Sequence, residues 1–285
     1  MKDYIPIDRY YQHLGARVLR TAVLALGVSI LLSCSALAQE NAAAHSFTPI
    51  QLEIEKQKQR LNSSDVEERR DALMRLGRMH RAEASRPALA SLSDPLPIIR
   101  ATAATALSGL PGDEGALALV PLLSDKDEFV RQQASYALGA LRSPAGVAAL
   151  VERLKTEKLN SVRAAAAVAL GQIGDEAGVV ALSELLTARN TKPKKGEPKK
   201  NEFVARAAAR ALGQIGSRAA VPALIEALSS EETANDVRRE AARSLGLIGD
   251  PAAVAALQAA QASHDPYLVQ AAMQALHVIA LRRPA

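Results

Sequence analysis

Four arginines are the side chains of this chain best suited to bind a ligand. They are Arg206, Arg210, Arg239 and Arg243. Arg206 and Arg210 are four residues apart, and so are Arg239 and Arg243. This spacing places both arginines of a pair on one face if the segment is helical. Guanidinium groups bind carboxylates and phosphates through paired hydrogen bonds. The pattern therefore predicts an anion-binding patch, and the alternative is that the arginines are solvated or paired with acidic neighbours such as Glu240.

A lysine-rich stretch at 188–203 precedes the first pair of arginines. Its basic residues include Lys194, Lys195, Lys199 and Lys200. Because Pro, Gly, Lys and Glu cannot form a core, this stretch is predicted to be a mobile surface loop. It is either a tolerated insertion or a flexible arm that adds to the anion-binding patch.

Residue types that support catalysis or metal binding are sparse. The five histidines are scattered along the chain. The single cysteine, Cys34, cannot build a disulfide framework or a thiolate metal cluster. No set of nucleophile, base and acid is apparent, and a net charge of +5 is weak support for nucleic acid. We therefore predict a protein that is not an enzyme and has no cofactor and no metal, and nucleic acid is not favoured as its partner.

The elements that must position these residues come from an internal repeat. A motif that ends in Ala-Leu-Gly or a close variant recurs along the chain. Its closing residues are Gly77, Ser108, Gly139, Gly171, Gly213, Gly246 and His277, separated by 31, 31, 32, 42, 33 and 31 residues. The long interval contains the lysine-rich loop. A repeat of this period predicts an array in which each unit packs on its neighbours.

Each copy of the repeat reads as two helices. In the copy with Val162, Ala166 and Leu170, apolar residues four positions apart form one stripe. Gly174 and Asp175 then mark the end of the first helix, and a second stripe of Val and Leu follows. Neither helix buries its stripe alone, so the copies must stack into an all-α solenoid.

Two segments carry a specific family resemblance. Residues 162–182 and 237–257 closely match the pattern V-R-x-x-A-A-x-A-L-G-x-I-G-D-x-x-A-V-x-A-L. This pattern resembles HEAT repeats, and specifically the short subtype named after phycobilisome bilin lyases. The resemblance covers about residues 62–282. It implies a right-handed superhelix of about six helix pairs with a capping helix, and it is almost silent on function.

The resemblance also suggests where ligands bind. In HEAT proteins the first helix of each copy, here called the core helix, lines the concave face of the solenoid. Its third and seventh positions are expected to point to solvent. The four arginines occupy these positions in the fifth and sixth copies, and Gln132 and Tyr136 occupy them in the third. Bilin lyases and iron-binding hydroxylases share the repeat, but the hydroxylases use His-Glu pairs that this sequence lacks. An enzyme of either type is the least favoured alternative.

The second position of the core helix carries a further pattern. Four copies have arginine there and an acidic residue six positions earlier. The arginines are Arg100, Arg131, Arg163 and Arg238, and the acids are Asp94, Asp125, Glu157 and Glu232. The resemblance implies that such acid–arginine pairs form a ladder between neighbouring repeats. We interpret the ladder as structural rather than as a ligand site.

Residues 1–38 read as a targeting segment. A basic region is followed by an uncharged apolar run over 21–38 that ends with small residues at Ala36 and Ala38. Cleavage after Ala38, lipidation of Cys34 and retention as a membrane anchor are the alternatives. Each places the rest of the chain outside the cytoplasm, in the periplasm or beyond the cell, with the membrane contacted through the N-terminal segment alone.

The sequence thus predicts three parts and one main function. Residues 39–61 form a linker with a possible capping helix, and 62–285 form the solenoid. We expect an exported scaffold of the bacterial cell envelope that binds unknown protein partners. The alternative is an anion-binding module for an acidic protein, an envelope polymer, a lipid headgroup or nucleic acid.

Overall fold

The computed structural model describes residues 47–188 and 201–282. The predicted targeting segment, including Cys34, and the lysines at 194, 195, 199 and 200 lie outside these residues. Fourteen α-helices make up the described ranges, with short 3₁₀ turns between them, and no strand occurs there. None of the described helices is both long enough and apolar enough to cross a membrane.

One helix precedes the repeats and six helix pairs follow. Helix α1 spans Pro49–Arg60, close to the predicted capping helix. The first helices of the six pairs are α2 (Val66–Arg78), α4 (Pro97–Ala106), α6 (Glu128–Leu141), α8 (Asn160–Ile173), α10 (Glu202–Ile215) and α12 (Asn235–Ile248). The second helices are α3 (Ala82–Ser85), α5 (Gly112–Leu119), α7 (Val147–Thr156), α9 (Val179–Thr187), α11 (Val221–Ser229) and α13 (Val254–Ala260). Helix α14 (Pro266–Leu281) is the first helix of a seventh copy.

The helices form two layers within the unit Lys56–Ala285. Each first helix packs against the first helices of the adjacent copies. Each second helix from α5 onward packs on the first helix of the next copy, and in the first pair the 3₁₀ helix Arg86–Ser93 makes this contact. The predicted stripes supply the core, since Val162, Ala166 and Leu170 are all buried. This arrangement confirms the predicted all-α solenoid of six helix pairs.

The glycine of the Ala-Leu-Gly motif allows neighbouring first helices to touch. A Cβ atom added to Gly139 would lie 2.8 Å from the Cα of Ala169, and one added to Gly246 would lie 2.8 Å from the Cα of Ala275. Backbone lies against backbone at these points, so no side chain fits. A second set of glycines ends the first helices, with Gly174 at a φ of 78°, as the Gly-Asp pattern predicts.

An acid–arginine ladder joins the first repeats. The Nε atoms of Arg100 and Arg131 lie 2.7 Å from Asp125 and 2.8 Å from Glu157, and that of Arg69 lies 3.4 Å from Asp94. These carboxylates belong to the following repeat. The residue six positions before each of these arginines accepts a hydrogen bond through its backbone carbonyl instead. For example, the carbonyl oxygen of Asp94 lies 2.8 Å from Nη1 of Arg100.

The ladder has a different register from the pairing read in the sequence, because each arginine binds the acid one repeat further on. This register explains why the ladder of ion pairs does not extend to Arg238. The position that would face Arg238 is Ser263, and Arg238 donates to the carbonyl of Leu228 at 2.9 Å. Burial lowers the pKa of Arg163, which donates to the carbonyl of Leu154 at 3.3 Å.

Candidate functional site

The four predicted arginines lie together on two adjacent first helices, α10 and α12. They line a groove of about 250 Å³ across α10, α12 and α14. We call this surface the arginine groove, and it is formed by Arg206, Arg210, Asp236, Arg239, Glu240, Arg243 and Tyr267. The sequence-based expectation that these arginines share one surface agrees with this geometry.

Helix starts and the repeat period position these side chains. Asn201 caps α10 by accepting hydrogen bonds from the backbone N–H groups of Phe203 and Val204, at 3.0 and 3.3 Å. Asp265 caps α14 in the same way, with Tyr267 N–H at 3.0 Å. Because α10 and α12 are stacked copies of one repeat, their arginines occupy equivalent positions and form two rows.

Every arginine of the groove has a carboxylate partner. Arg206 reaches Asp236 at 3.5 Å, and Arg239 reaches Asp265 at 2.7 Å. Glu240 accepts two hydrogen bonds from Arg210, at 2.9 and 3.4 Å, and a third from Arg243 at 3.4 Å. The sequence analysis named Glu240 as a possible partner and missed Asp236 and Asp265.

A sequence signal for the missed acids does exist. Asp236 follows Arg206 by 30 residues, and Asp265 follows Arg239 by 26, which is close to one repeat. A search for acids 26 to 30 residues after each arginine, slightly less than one repeat, would have found them. Tyr267 carries no such signal, because its place beside the groove depends on where α14 begins.

The arginines face solvent while most of their partners do not. The exposed fractions of the side chains are 42% for Arg206, 58% for Arg210, 29% for Arg239 and 54% for Arg243, against 8% for Glu240 and 6% for Asp265. Within the described ranges, Nη1 of Arg210 and both Nε and Nη2 of Arg243 have no acceptor. The buried carboxylates therefore hold the guanidinium groups in place and leave donors free on the outer side.

Hydrogen bonds within the groove favour the charged forms of Asp265 and Arg210. The hydrogen bond from Arg239 lowers the pKa of Asp265, although burial acts in the opposite direction. The hydrogen bond to Glu240 raises the pKa of Arg210. Four cations thus face three anions, which leaves a small positive excess.

Aromatic rings flank two of the arginines. The Cζ atom of Arg239 lies 5.2 Å from the ring centroid of Tyr267, and that of Arg206 lies 5.9 Å from that of Phe203. These distances are within the range of cation–π attraction. Both rings are exposed. Exposed aromatic and arginine side chains are a combination enriched in protein–protein interfaces.

A second cavity of about 440 Å³ continues from the arginine groove toward the other end of the helices. It shares Arg210, Glu240 and Arg243 with the groove. We call its remainder the apolar cleft, which is lined by Gln214, Gly246, Leu247, Ala271, Gln274, Ala275 and Val278. The close approach of Gly246 to Ala275 forms a floor of small residues.

The other predicted binding residues lie apart from this site. Gln132 and Tyr136 are on α6, and helix α8 separates them from α10. They line neither the arginine groove nor the apolar cleft. Among the described residues, no group of three or more His, Cys, Asp or Glu side chains is arranged to hold a metal ion.

Comparison with known proteins places the chain in a family. The family model of HEAT repeats matches residues 54–134, 116–194 and 198–277. A search of curated proteins gives no match.

Several solved structures resemble the chain. Human deoxyhypusine hydroxylase is 25% identical, with 80% of this chain and 85% of that one covered and a TM-score of 0.41. The complex of CpcE and CpcF of phycocyanin lyase from Nostoc sp. is 22% identical, with 82% and 95% covered and a TM-score of 0.49. A designed armadillo repeat protein is 18% identical, with 79% and 98% covered and a TM-score of 0.37. Because the three stretches that match the family model together span most of the chain, the chain belongs to the HEAT-repeat family.

Proposed function

We propose that this protein is an exported, non-catalytic scaffold of the bacterial cell envelope that binds a protein partner through the arginine groove. The HEAT-repeat fold supports a protein-interaction role, because stacked repeats present an extended binding surface. Export rests on the basic, apolar and small-residue order of residues 1–38. The membrane is contacted through that segment alone.

The observation that carries the proposal is the composition of the groove. Solvent-facing arginines, an exposed Tyr267 and an adjoining apolar cleft occur on one surface. Arginine and tyrosine are the residue types that contribute most to binding energy in protein interfaces. A partner that offers carboxylates together with apolar side chains would use all of these features.

The near balance of charge favours a protein over a simple polyanion. Asp236, Glu240 and Asp265 offset three of the four arginines. A polyanionic envelope polymer or nucleic acid binds mainly through an excess of positive charge. A groove with so little excess gains more from shape, apolar contact and a few directed hydrogen bonds.

Affinity capture from membrane and periplasmic fractions tests this function. The full chain is compared with a variant in which Arg206, Arg210, Arg239 and Arg243 are changed to Gln, which removes the charge while keeping a long polar side chain. We expect the native chain to capture a protein that the variant loses, because the guanidinium donors are gone.

The control carries the same number of Arg→Gln changes in the first repeat. The positions are Arg70, Arg75, Arg81 and Arg86, which also take part in exposed or half-exposed ion pairs. This control should capture the same protein as the native chain. Retention of the partner by the groove variant would place binding elsewhere and contradict the proposal.

A further inference from the structure

We infer that the segment bound by this groove is an extended acidic–apolar peptide, with a carboxylate on Arg210 and Arg243 and an aliphatic side chain in the apolar cleft. The inference rests on the proposed function, since it names the chemistry of the partner at the same site. It follows from three features of α10, α12 and α14.

The first feature is a pair of guanidinium groups prepared for a carboxylate. Glu240 is almost fully buried and holds Arg210 and Arg243 from behind. Their free N–H groups face the solvent side, where the groove and the cleft meet. Because the arginines are already oriented, their side chains lose little conformational entropy when a ligand carboxylate binds.

The second feature is the apolar cleft directly beside these donors. Gly246, Ala271 and Ala275 are small and Leu247 and Val278 are apolar, while Gln214 and Gln274 complete the lining. Leu247 is 57% exposed in the free chain, which leaves a large apolar side chain in contact with water. The whole second cavity, which includes Arg210, Glu240 and Arg243 at one end, has a volume of about 440 Å³ and accommodates an aliphatic side chain and part of its backbone.

The third feature is the set of carboxylates that a highly charged ligand would meet. Phosphate groups placed along the groove would lie near Asp236, Glu240 and Asp265. They would also leave the apolar cleft unused. In an extended chain neighbouring side chains point to opposite sides, so a peptide in which pairs of acidic residues alternate with pairs of apolar residues presents both types on each side. Such a peptide places single charges at the free donors and an apolar side chain in the cleft, and it avoids both problems.

Fluorescence anisotropy with three labelled ten-residue peptides tests the inference on the full chain. One peptide alternates pairs of Asp with pairs of Leu, the second alternates pairs of Asn with pairs of Leu, and the third alternates pairs of Asp with pairs of Ser. We expect the Asp-Leu peptide to bind at least tenfold more tightly than either of the others, because both the charge and the apolar side chain contribute. Equal binding of the Asp-Leu and Asp-Ser peptides would overturn the inference in favour of a plain anion site.

Matched variants assign the two contributions to residues. Changing Arg210 and Arg243 to Gln should weaken the Asp-Leu peptide more than tenfold, and Leu247→Ser should weaken it about fivefold while leaving the Asp-Ser peptide unchanged. Leu117→Ser on α5, where the leucine is 69% exposed, is the control and should change nothing.

The outcomes separate this inference from the proposed function. If no peptide binds while capture of a natural partner still depends on the four arginines, the peptide chemistry is wrong and the groove function stands. If the Asp-Leu peptide binds and the groove variants do not weaken it, the inference is overturned. If capture is also insensitive to those variants, the proposed function fails with it.

Discussion

Gly139→Leu should lower the free energy of unfolding by about 2 kcal/mol. The new Cβ would lie 2.8 Å from the Cα of Ala169 on the next first helix and would also collide with the side chain of Gln172. Overpacking typically costs about 1–3 kcal/mol, and a collision with backbone, which cannot move aside like a side chain, lies at the upper end. Removing a glycine from a helix returns about 0.8–1 kcal/mol, so the net effect remains a clear loss.

Urea unfolding followed by circular dichroism at 222 nm measures this loss. The control is Ala140→Leu, which introduces the same side chain at the adjacent exposed position of α6. We expect the control to keep the native midpoint while Gly139→Leu unfolds at a lower urea concentration. Equal midpoints for the two variants would show that the helices do not approach at this glycine.

Asp125→Asn should destabilise the array by about 2 kcal/mol at neutral pH. The carboxylate accepts two hydrogen bonds from Arg100, at 2.7 and 2.8 Å, and both side chains are largely buried. Removing one partner of such a pair leaves a buried charge without its counter-ion, which costs more than the pair itself contributes. The exposed pair of Lys155 and Glu184, 4.0 Å apart, supplies the control variant Glu184→Gln, which should have no measurable effect.

The stability difference between the native chain and Asp125→Asn should depend on pH. The hydrogen bond from Arg100 holds the pKa of Asp125 below its usual value of 3.8, although burial acts in the opposite direction. A lowered pKa in the folded state stabilises the fold above the unfolded pKa and ceases to do so as the pH falls through the folded one. The difference should therefore be constant near pH 7 and shrink below about pH 4. A difference that stays constant down to pH 2 would contradict this assignment.

The fold could be predicted because the residues that determine it recur at a fixed period. The stripe of Val162, Ala166 and Leu170 specifies a helix, and the glycine that follows specifies how closely the next copy packs. The period alone also showed that the lysine-rich stretch is an insertion. These signals are local to one repeat, so a single sequence is sufficient to read them.

The partners across neighbouring helices were harder to predict, because they depend on register. The spacing of Arg206 and Arg210 placed them on one face, but it did not show that Asp236 and Glu240 would face them from α12. The ladder gave the same difficulty, since the acid that binds Arg100 is Asp125 of the next repeat and not Asp94. Which residues meet is decided by the stacking of helices, and a pattern within one copy does not contain that information.

Site-specific photo-crosslinking in intact bacteria tests the central claim most directly. A photoreactive benzoylphenylalanine replaces Tyr267 in the arginine groove or, as a control of similar exposure, Leu117 on α5. The proposed function predicts a crosslinked protein at Tyr267, recovered in the periplasmic or membrane fraction and lost when Arg210 and Arg243 are changed to Gln. The same crosslinked protein at Leu117 but not at Tyr267, or a crosslink that persists without the two arginines, would contradict it.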